Sequence, residues 1–384
     1  MRKLKILILM GVLASPLAQA ELKFGIVAPE TGGAASMGLG MQEGINAYFA
    51  EINAAGGVNG QPLTLVARDD RYNPLLAAQH TRELSADESI LAAIGNVGTP
   101  TAAVTVTVHN QQQMLLFGAF TGAGLLRQSP PDRYIINYRA SYAEETATMI
   151  NGLLEAGIAP EEIAFFTQND SFGDAGYYGA ISALHGEGFE DTDRLVHGRF
   201  TRGTRNIHQG LATILQAPVP PRAIIIVSTF GPAADFIREA RKDLEDVLFL
   251  NVSFVGSQAL VDELGDMAEG VMVTQVVPPL ESTLPAVESY HAALKHYASD
   301  AEPSFISLEG YLAAKLFVEG LKSAGEQPDR ESIVDGLLSL GNIDIGLEEP
   351  LMLNPDNHQA SHAVWPTIIR NGHFEPVNWS SLTP

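Results

Sequence analysis

The run Ile90-Leu91-Ala92-Ala93-Ile94 is apolar at five successive positions. A strand with one wet face alternates polar and apolar side chains, so an unbroken run needs cover on both faces, which helices supply in open parallel sheets. The rest of the chain keeps to that grammar. Leu22 to Ala28 reads as a strand and Met37 to Ala55 as a helix, whose Met41, Ile45, Tyr48, Phe49 and Ile52 fall at the three- and four-residue spacing of one buried face. Gly56-Gly57 stops it. Then come Leu63 to Ala67 (strand), Pro74 to Leu84 (helix), Ile90 to Gly95 (strand), Thr101 to Gln112 (helix), and the strands Met114 to Phe117 and Tyr134 to Tyr138.

The alternation restarts after Ser141. A helix to Leu154 precedes the strand Glu162 to Thr167, the helix Asp174 to His185, the strand Leu195 to Phe200, the helix Ile207 to Leu215, the strand Ala223 to Val227, the helix Pro232 to Arg241 and the strand Val247 to Asn251. A further strand at Gly270 to Val276 leads into Pro278-Pro279, then helices near Ala286 to Tyr297, Leu308 to Ser323 and Arg330 to Leu340; the remainder reads as short strands and turns. The expected class is α/β, with two doubly wound, Rossmann-like parallel sheets. A chain of 384 residues also exceeds what one hydrophobic core usually supports.

Composition narrows the partners. Arg2, Lys3 and Lys5 precede the apolar run Ile6 to Leu13, and Ala18-Gln19-Ala20 offers a small-x-small cleavage site, so residues 1–20 are expected to be a cleavable secretion signal. No later stretch reaches the roughly 18 to 20 uninterrupted apolar residues of a membrane helix, so the processed chain is not expected to be embedded in a membrane. The formal net charge is −22, and losing the three cations of the leader makes it −25. With no basic stripe, nucleic acid is not a partner. There is no cysteine, which excludes disulfides, Cys-ligated metals and a lipid anchor of the bacterial lipoprotein type.

Two turns stand where ligands collect in parallel sheets, just past strand carboxyl ends. "GNVGTPT", Gly95 to Thr101, presents the Thr99 hydroxyl; "FGAFTGAG", Phe117 to Gly124, exposes main chain around Phe120, Thr121 and Gly122. Convergent N–H and hydroxyl donors suit a carboxylate. Plain strand-to-helix turns with Thr as an N-cap fit the local pattern equally well. Other features have blander readings. Arg139 reads as a structural ion pair in preference to a ligand contact. Asp69-Asp70 is read as a capped loop, because neighbours in extended chain point oppositely. His358 and His362 have helical zinc spacing but no Glu partner, and are expected to be surface histidines. Gly173, Gly176 and Gly179 mimic a dinucleotide fingerprint with the wrong first spacing, so helix packing is expected. No Gly-x-Ser-x-Gly elbow, P-loop or His-Glu-x-x-His occurs. No enzyme activity, metal or cofactor is expected, and a secreted hydrolase is the least favoured function.

The stretch "MGLGMQEGINAYFAEINAAGGVNGQPLTLVARDDRYNP", Met37 to Pro74, resembles the first lobe of type I periplasmic binding proteins, in particular the branched-chain amino acid (Leu/Ile/Val) binding group that serves ABC transporters. "YRASYAEE", "NDSFGDAG", "FGPAADFIREAR" and "LFLNVSFVGS" follow in family order. The resemblance implies two lobes joined by a three-crossover hinge, with a ligand in the cleft: lobe I at residues 21–141 and 277–343, lobe II at 142–276 and 344–384. Crossovers are expected at Arg139 to Ala143, Gln275 to Pro279 and Asn342 to Gly346. It also implies a periplasmic monomer that carries a small solute to an ABC permease, or signals its presence to a membrane receptor.

By the same resemblance the carboxylate-holding roles fall on Thr99 and on Phe120, Thr121 and Gly122. The aromatic that closes from the second lobe falls on Phe172, a further contact on Thr229 or Phe230, and a first-loop position on Met37. One departure bears on the substrate. Amino-acid binders place a Glu where this chain has Ser253, and a neutral hydroxyl cannot pair a desolvated ammonium. Either Glu144 or Glu145 substitutes, or the ligand is a carboxylate or amide without an α-amine; the second is favoured.

Overall fold

A computed structural model describes residues 21–382 with the exception of residue 245. The expected secretion signal, residues 1–20, lies outside the described residues. The first sheet is built from β1 (Leu22–Ala28), β2 (Leu63–Asp69), β3 (Ile90–Ile94), β4 (Leu116–Phe117) and β5 (Ile135–Ile136), all parallel, in the order β2-β1-β3-β4-β5. Between these strands run α1 (Ala35–Ala54), α2 (Pro74–Ala86) and α3 (Thr99–Gln111). Local chemistry sets where they start. Asn73 caps α2 by accepting from Leu75 N, and Pro74 stands at its first turn, where a missing N–H costs nothing.

The second lobe begins at α4 (Tyr142–Glu155), opened by a capping box between Ser141 and Glu144. It continues through β6 (Ile163–Gln168), α5 (Ser171–Gly186), β7 (His197–Phe200), α6 (His208–Leu215), β8 (Ala223–Val227), α7 (Phe230–Ala240), β9 (Leu248–Asn251), α8 (Ser257–Leu264) and β10 (Met272–Gln275). Every residue of β8 is buried, as its unbroken Ala-Ile-Ile-Ile-Val run requires. The chain then returns to the first lobe, where α9 (Pro285–Tyr297) and α10 (Phe305–Ser323) pack on α1, and α11 (Arg330–Leu338) packs on α10. A hairpin of β11 (Gly341–Ile343) and β12 (Leu351–Leu353) follows. Last, β13 (Trp365–Arg370) pairs antiparallel with β10 and β14 (His373–Pro376) antiparallel with β13, completing the order β14-β13-β10-β9-β8-β6-β7. The architecture is α/β, two lobes of parallel sheet flanked by helices.

Strand order locates the functional ground. In the first sheet the order turns between β1 and β3, in the second between β6 and β8. At such switch points the helices on the two sides diverge and leave a crevice past the strand ends. Those ends carry Gly95 to Thr99 in one lobe, and Asn169 to Phe172 with Ser228 to Phe230 in the other.

Three differences from the sequence expectation have physical causes. The strand expected at Tyr134 to Tyr138 shrinks to two residues, because Asn137 N donates to His358 O (2.7 Å) instead of to a neighbouring strand. Helix α8 was not expected; its Ser257-Gln258 start follows Gly256 in a left-handed conformation, φ 83°, with no side-chain cap to signal it. The third passage between lobes is later than Asn342 to Gly346. Hairpin β11–β12 and the bond from Ala286 N to Gly346 O (3.0 Å) hold that segment to the first lobe. The chain crosses beside the first passage, where Ala360 N donates to Asn137 O (2.9 Å) and Ser361 N to Tyr138 O (2.8 Å).

Candidate functional site

Thr99 begins α3 and Thr121 follows β4, and their hydroxyls meet at 2.6 Å with both residues wholly buried. The turn around Thr121 is held by Phe120 N donating to Asn96 O (2.8 Å) and Ala123 N to Thr121 Oγ1 (3.3 Å). Gly122 O accepts from Tyr142 N (2.8 Å), and a Cβ at position 122 would stand 2.5 Å from that nitrogen. Only glycine lets the second lobe's first helix dock there. Tyr142 Oη is buried with no hydrogen-bond partner.

The second lobe brings rings to this turn. Phe254 lies 5.2 Å from the Phe120 ring, 6.1 Å from Tyr72 and 4.7 Å from Phe172; Phe172 lies 5.4 Å from Tyr142. Tyr72 and Phe120 belong to the first lobe, Phe172 and Phe254 to the second. The aromatic cluster is thus a seam between lobes, centred on Phe254.

Below it lies a charged cluster. Arg139, fully buried in the first passage, donates from Nη2 to Glu145 Oε1 (3.1 Å) and to Ser253 Oγ, and its Nη1 stands 3.6 Å from Glu309 Oε1. Ser253 N donates to Glu145 Oε2 (2.7 Å). Burial works against the Arg139 charge, but Glu309 and Glu145 outweigh it and hold its pKa above the usual guanidinium value. Burial pushes the Glu309 carboxyl up to about 7, with Arg139 pulling the other way.

Above the rings a cleft of about 820 Å³ opens between the lobes, walled by Tyr72 and Asn73 on one side and by Arg202, Thr229, Phe230 and Gly231 on the other. Of the residues read from the sequence, Thr229 and Phe230 line this cleft. Thr99, Phe120, Thr121, Gly122, Phe172 and Ser253 do not line it; they are buried around Arg139, Tyr142 and Phe254. Met37 is fully buried at the start of α1, its Cε 3.6 Å from where a Cβ on Gly256 of the other lobe would sit. Glu144 is engaged elsewhere. Its carboxylate accepts from Ser141 N (2.6 Å) and Gln359 Nε2 (2.9 Å) and pairs with His362 Nδ1 (2.6 Å). Burial alone would raise the Glu144 pKa, but these partners lower it to about 2.

Sequence reasoning passed over Tyr72, Tyr142 and Phe254. The signal for Phe254 was available, since it adjoins Ser253 just past β9, but nothing local shows a ring crossing to the other lobe. His358 is buried, not at the surface, with Nδ1 2.9 Å from Ile135 O. The Asp69-Asp70 loop is capped: Asp69 Oδ1 accepts from Glu30 N (2.9 Å) and Asp70 Oδ1 from Tyr72 N (2.8 Å). Gly173 and Gly179 are sites of close packing, where a Cβ would stand 1.9 Å from Gln168 O and 2.8 Å from Ala143 Cα. Among the described residues no group of three or more His, Asp or Glu could hold a metal, and no helix is long and apolar enough to cross a membrane.

Comparison with known proteins extends over nearly the whole chain. A family model described as periplasmic binding protein matches residues 21–373. The crystal structure of a possible leucine/isoleucine/valine-binding protein from Rhodopirellula baltica superposes with a TM-score of 0.93 at 42% identity, covering 96% of this chain and 99% of that one. A substrate-binding periplasmic protein from Ralstonia solanacearum superposes with a TM-score of 0.85 at 25% identity, covering 93% and 100%. Leu/Ile/Val-binding protein homolog 4 of Brucella melitensis is 23% identical over 366 residues, 92% of this chain and 84% of the relative.

Proposed function

This chain belongs to the periplasmic binding protein family, and from that premise we propose that it is an extracytoplasmic solute-binding protein. It captures a small carboxylate- or amide-bearing ligand between its lobes and delivers it to an ABC-type permease. The observation that carries this reading is the buried Thr99–Thr121 hydroxyl pair past the first lobe's strand ends, beside Phe120, whose ring meets Phe254 of the second lobe. Hydroxyls and turn amides fixed by the first lobe are suited to receive a carboxylate. Closure then requires that the ligand bond better to the closed arrangement than to the open one, which the second-lobe residues would provide. Hinge closure in periplasmic binding proteins is a standard example of such motion. The relatives named for leucine, isoleucine and valine support a ligand of amino-acid size.

A thermal-shift screen over amino acids, aliphatic and aromatic carboxylates, amides and ureas tests the reading. A ligand at about 100 times its dissociation constant stabilises by about 2.7 kcal/mol. At least one class should raise the melting temperature; a flat response across all of them would overturn the proposal.

A further inference from the structure

The buried charges beneath the rings are unequally committed. Arg139 lies with its guanidinium carbon 4.8 Å from the Phe120 ring centre and 5.8 Å from that of Tyr142, the two rings that flank the Thr99–Thr121 hydroxyls. Only Nη2 of its three nitrogens makes hydrogen bonds; Nε and Nη1 are buried without one. Nη1 and Glu309 Oε1, at 3.6 Å, form an ion pair that is not a hydrogen bond, and Glu309 Oε1 is also unpartnered. Because burial holds Glu309 near half-protonation at neutral pH, it answers the Arg139 charge only in part.

The acids are otherwise spent. Glu145 Oε1 accepts from Ser253 Oγ (3.0 Å) and Arg139 Nη2 (3.1 Å), and its Oε2 from Ser253 N (2.7 Å) and Thr274 Oγ1 (2.5 Å). Four donors fill a carboxylate. Glu144 is bound up with Ser141, Gln359 and His362. Asp70 Oδ2 is unpartnered, but it adjoins a void of about 10 Å³ lined by Asn96 and Thr105, room for no more than one water. Asn251 Oδ1 is an unpartnered acceptor, and it is neutral.

We infer that the cleft selects an organic acid with an apolar body and no ammonium group, and that Arg139 is the residue that sets this selectivity. The inference rests on the solute-binding reading above and names its substrate class. An acid brings acceptor oxygens to a site where Arg139 Nε and Nη1 and Tyr142 Oη lack partners, and the neighbouring rings of Phe120, Phe172 and Phe254, which meet the cleft wall at Tyr72, suit an apolar body. An α-ammonium would be desolvated beside a guanidinium, where the unpartnered Glu309 Oε1 already faces Arg139 Nη1, a cost that burial makes large.

Calorimetry on the intact chain at neutral pH with matched pairs tests this: 4-methylpentanoate against L-leucine, and 3-phenylpropanoate against L-phenylalanine. In each pair that binds, the amine-free acid should bind at least about tenfold tighter, the scale of one charge-assisted hydrogen bond. A smaller ratio, a reversed one, or binding by none of the four overturns the inference; a smaller or reversed ratio leaves the solute-binding reading intact, and that reading is judged separately by the wider screen. Arg139→Gln should weaken the acids by about tenfold or more and narrow the ratio in each pair, since the amino acids lose the same carboxylate donor but are relieved of the repulsion on their ammonium. A folded variant that keeps the preference overturns the assignment to Arg139. Should that variant fail to fold, the matched pairs on the unaltered chain still decide the substrate class.

Discussion

Thr99 Oγ1 and Thr121 Oγ1 stand 2.6 Å apart, buried at the carboxyl ends of neighbouring strands although 22 residues separate them. In such a pair one hydroxyl donates to the other, and the second keeps its proton for an acceptor held beside them. Thr99→Val keeps the shape and removes one donor. It should weaken ligand binding by about 1 to 3 kcal/mol and leave the melting temperature of the free protein near that of wild type. Titration calorimetry with a solute found by the screen checks it, and unchanged affinity would remove Thr99 from the site.

Phe254 is the ring through which the lobes touch. Phe254→Ala should cost about 3 to 5 kcal/mol of stability through the cavity it leaves, measured by urea unfolding. It should also weaken ligand binding, since the second lobe loses its central contact with Tyr72 and Phe120. A loss of stability with unaltered affinity would restrict Phe254 to packing.

Glu309 makes stability depend on pH. Its carboxyl titrates at about 7 in the folded chain and near 4.5 when unfolded, so the native state holds a proton that the unfolded state releases. The associated stability is fully present below pH 4.5 and lost as pH rises through about 7, a change of about 3 kcal/mol. Glu309→Gln should flatten that decline in a series of denaturant melts. An undiminished slope would show that other groups cause it.

His362 and Glu144 act with a different sign pattern. The bond to Glu144 raises the His362 pKa above 6.5, so this contribution is fully present below 6.5 and fades as pH rises through the folded value. Glu144 is lowered to about 2, so its share is present above 4.5 and lost as pH falls through about 2. His362→Asn should remove a small drop in melting temperature between weakly acidic and alkaline buffers. The effect is modest because the imidazole is largely exposed.

Lobe closure has a shape signature. Saturation with a solute from the screen should reduce the radius of gyration in small-angle scattering, and an identical profile with and without it would count against closure.

The α/β class was legible because unbroken apolar runs such as Ile90–Ile94 need cover on both faces, and the helices between them carry a buried stripe. The turns at Thr99 and Thr121 were legible because parallel sheets expose such turns at their carboxyl ends. Residues in contact across the lobes were not. Phe254, Tyr72 and Tyr142 carry no local mark of their partners, since a ring's neighbours depend on how two separately folded sheets dock. Glu144 and Glu145 adjoin in sequence and looked interchangeable. A helix turns about 100° per residue, and that rotation alone sends Glu144 to its own cap and His362, and Glu145 inward to Arg139 and Ser253. Sequence by itself determined the layers, the two-lobe division and the strand-end turns, because periodicity is a property of neighbouring residues. Only the tertiary structure decided which buried charges are spent and which are free, because that depends on donors and acceptors brought together from three passages of the chain.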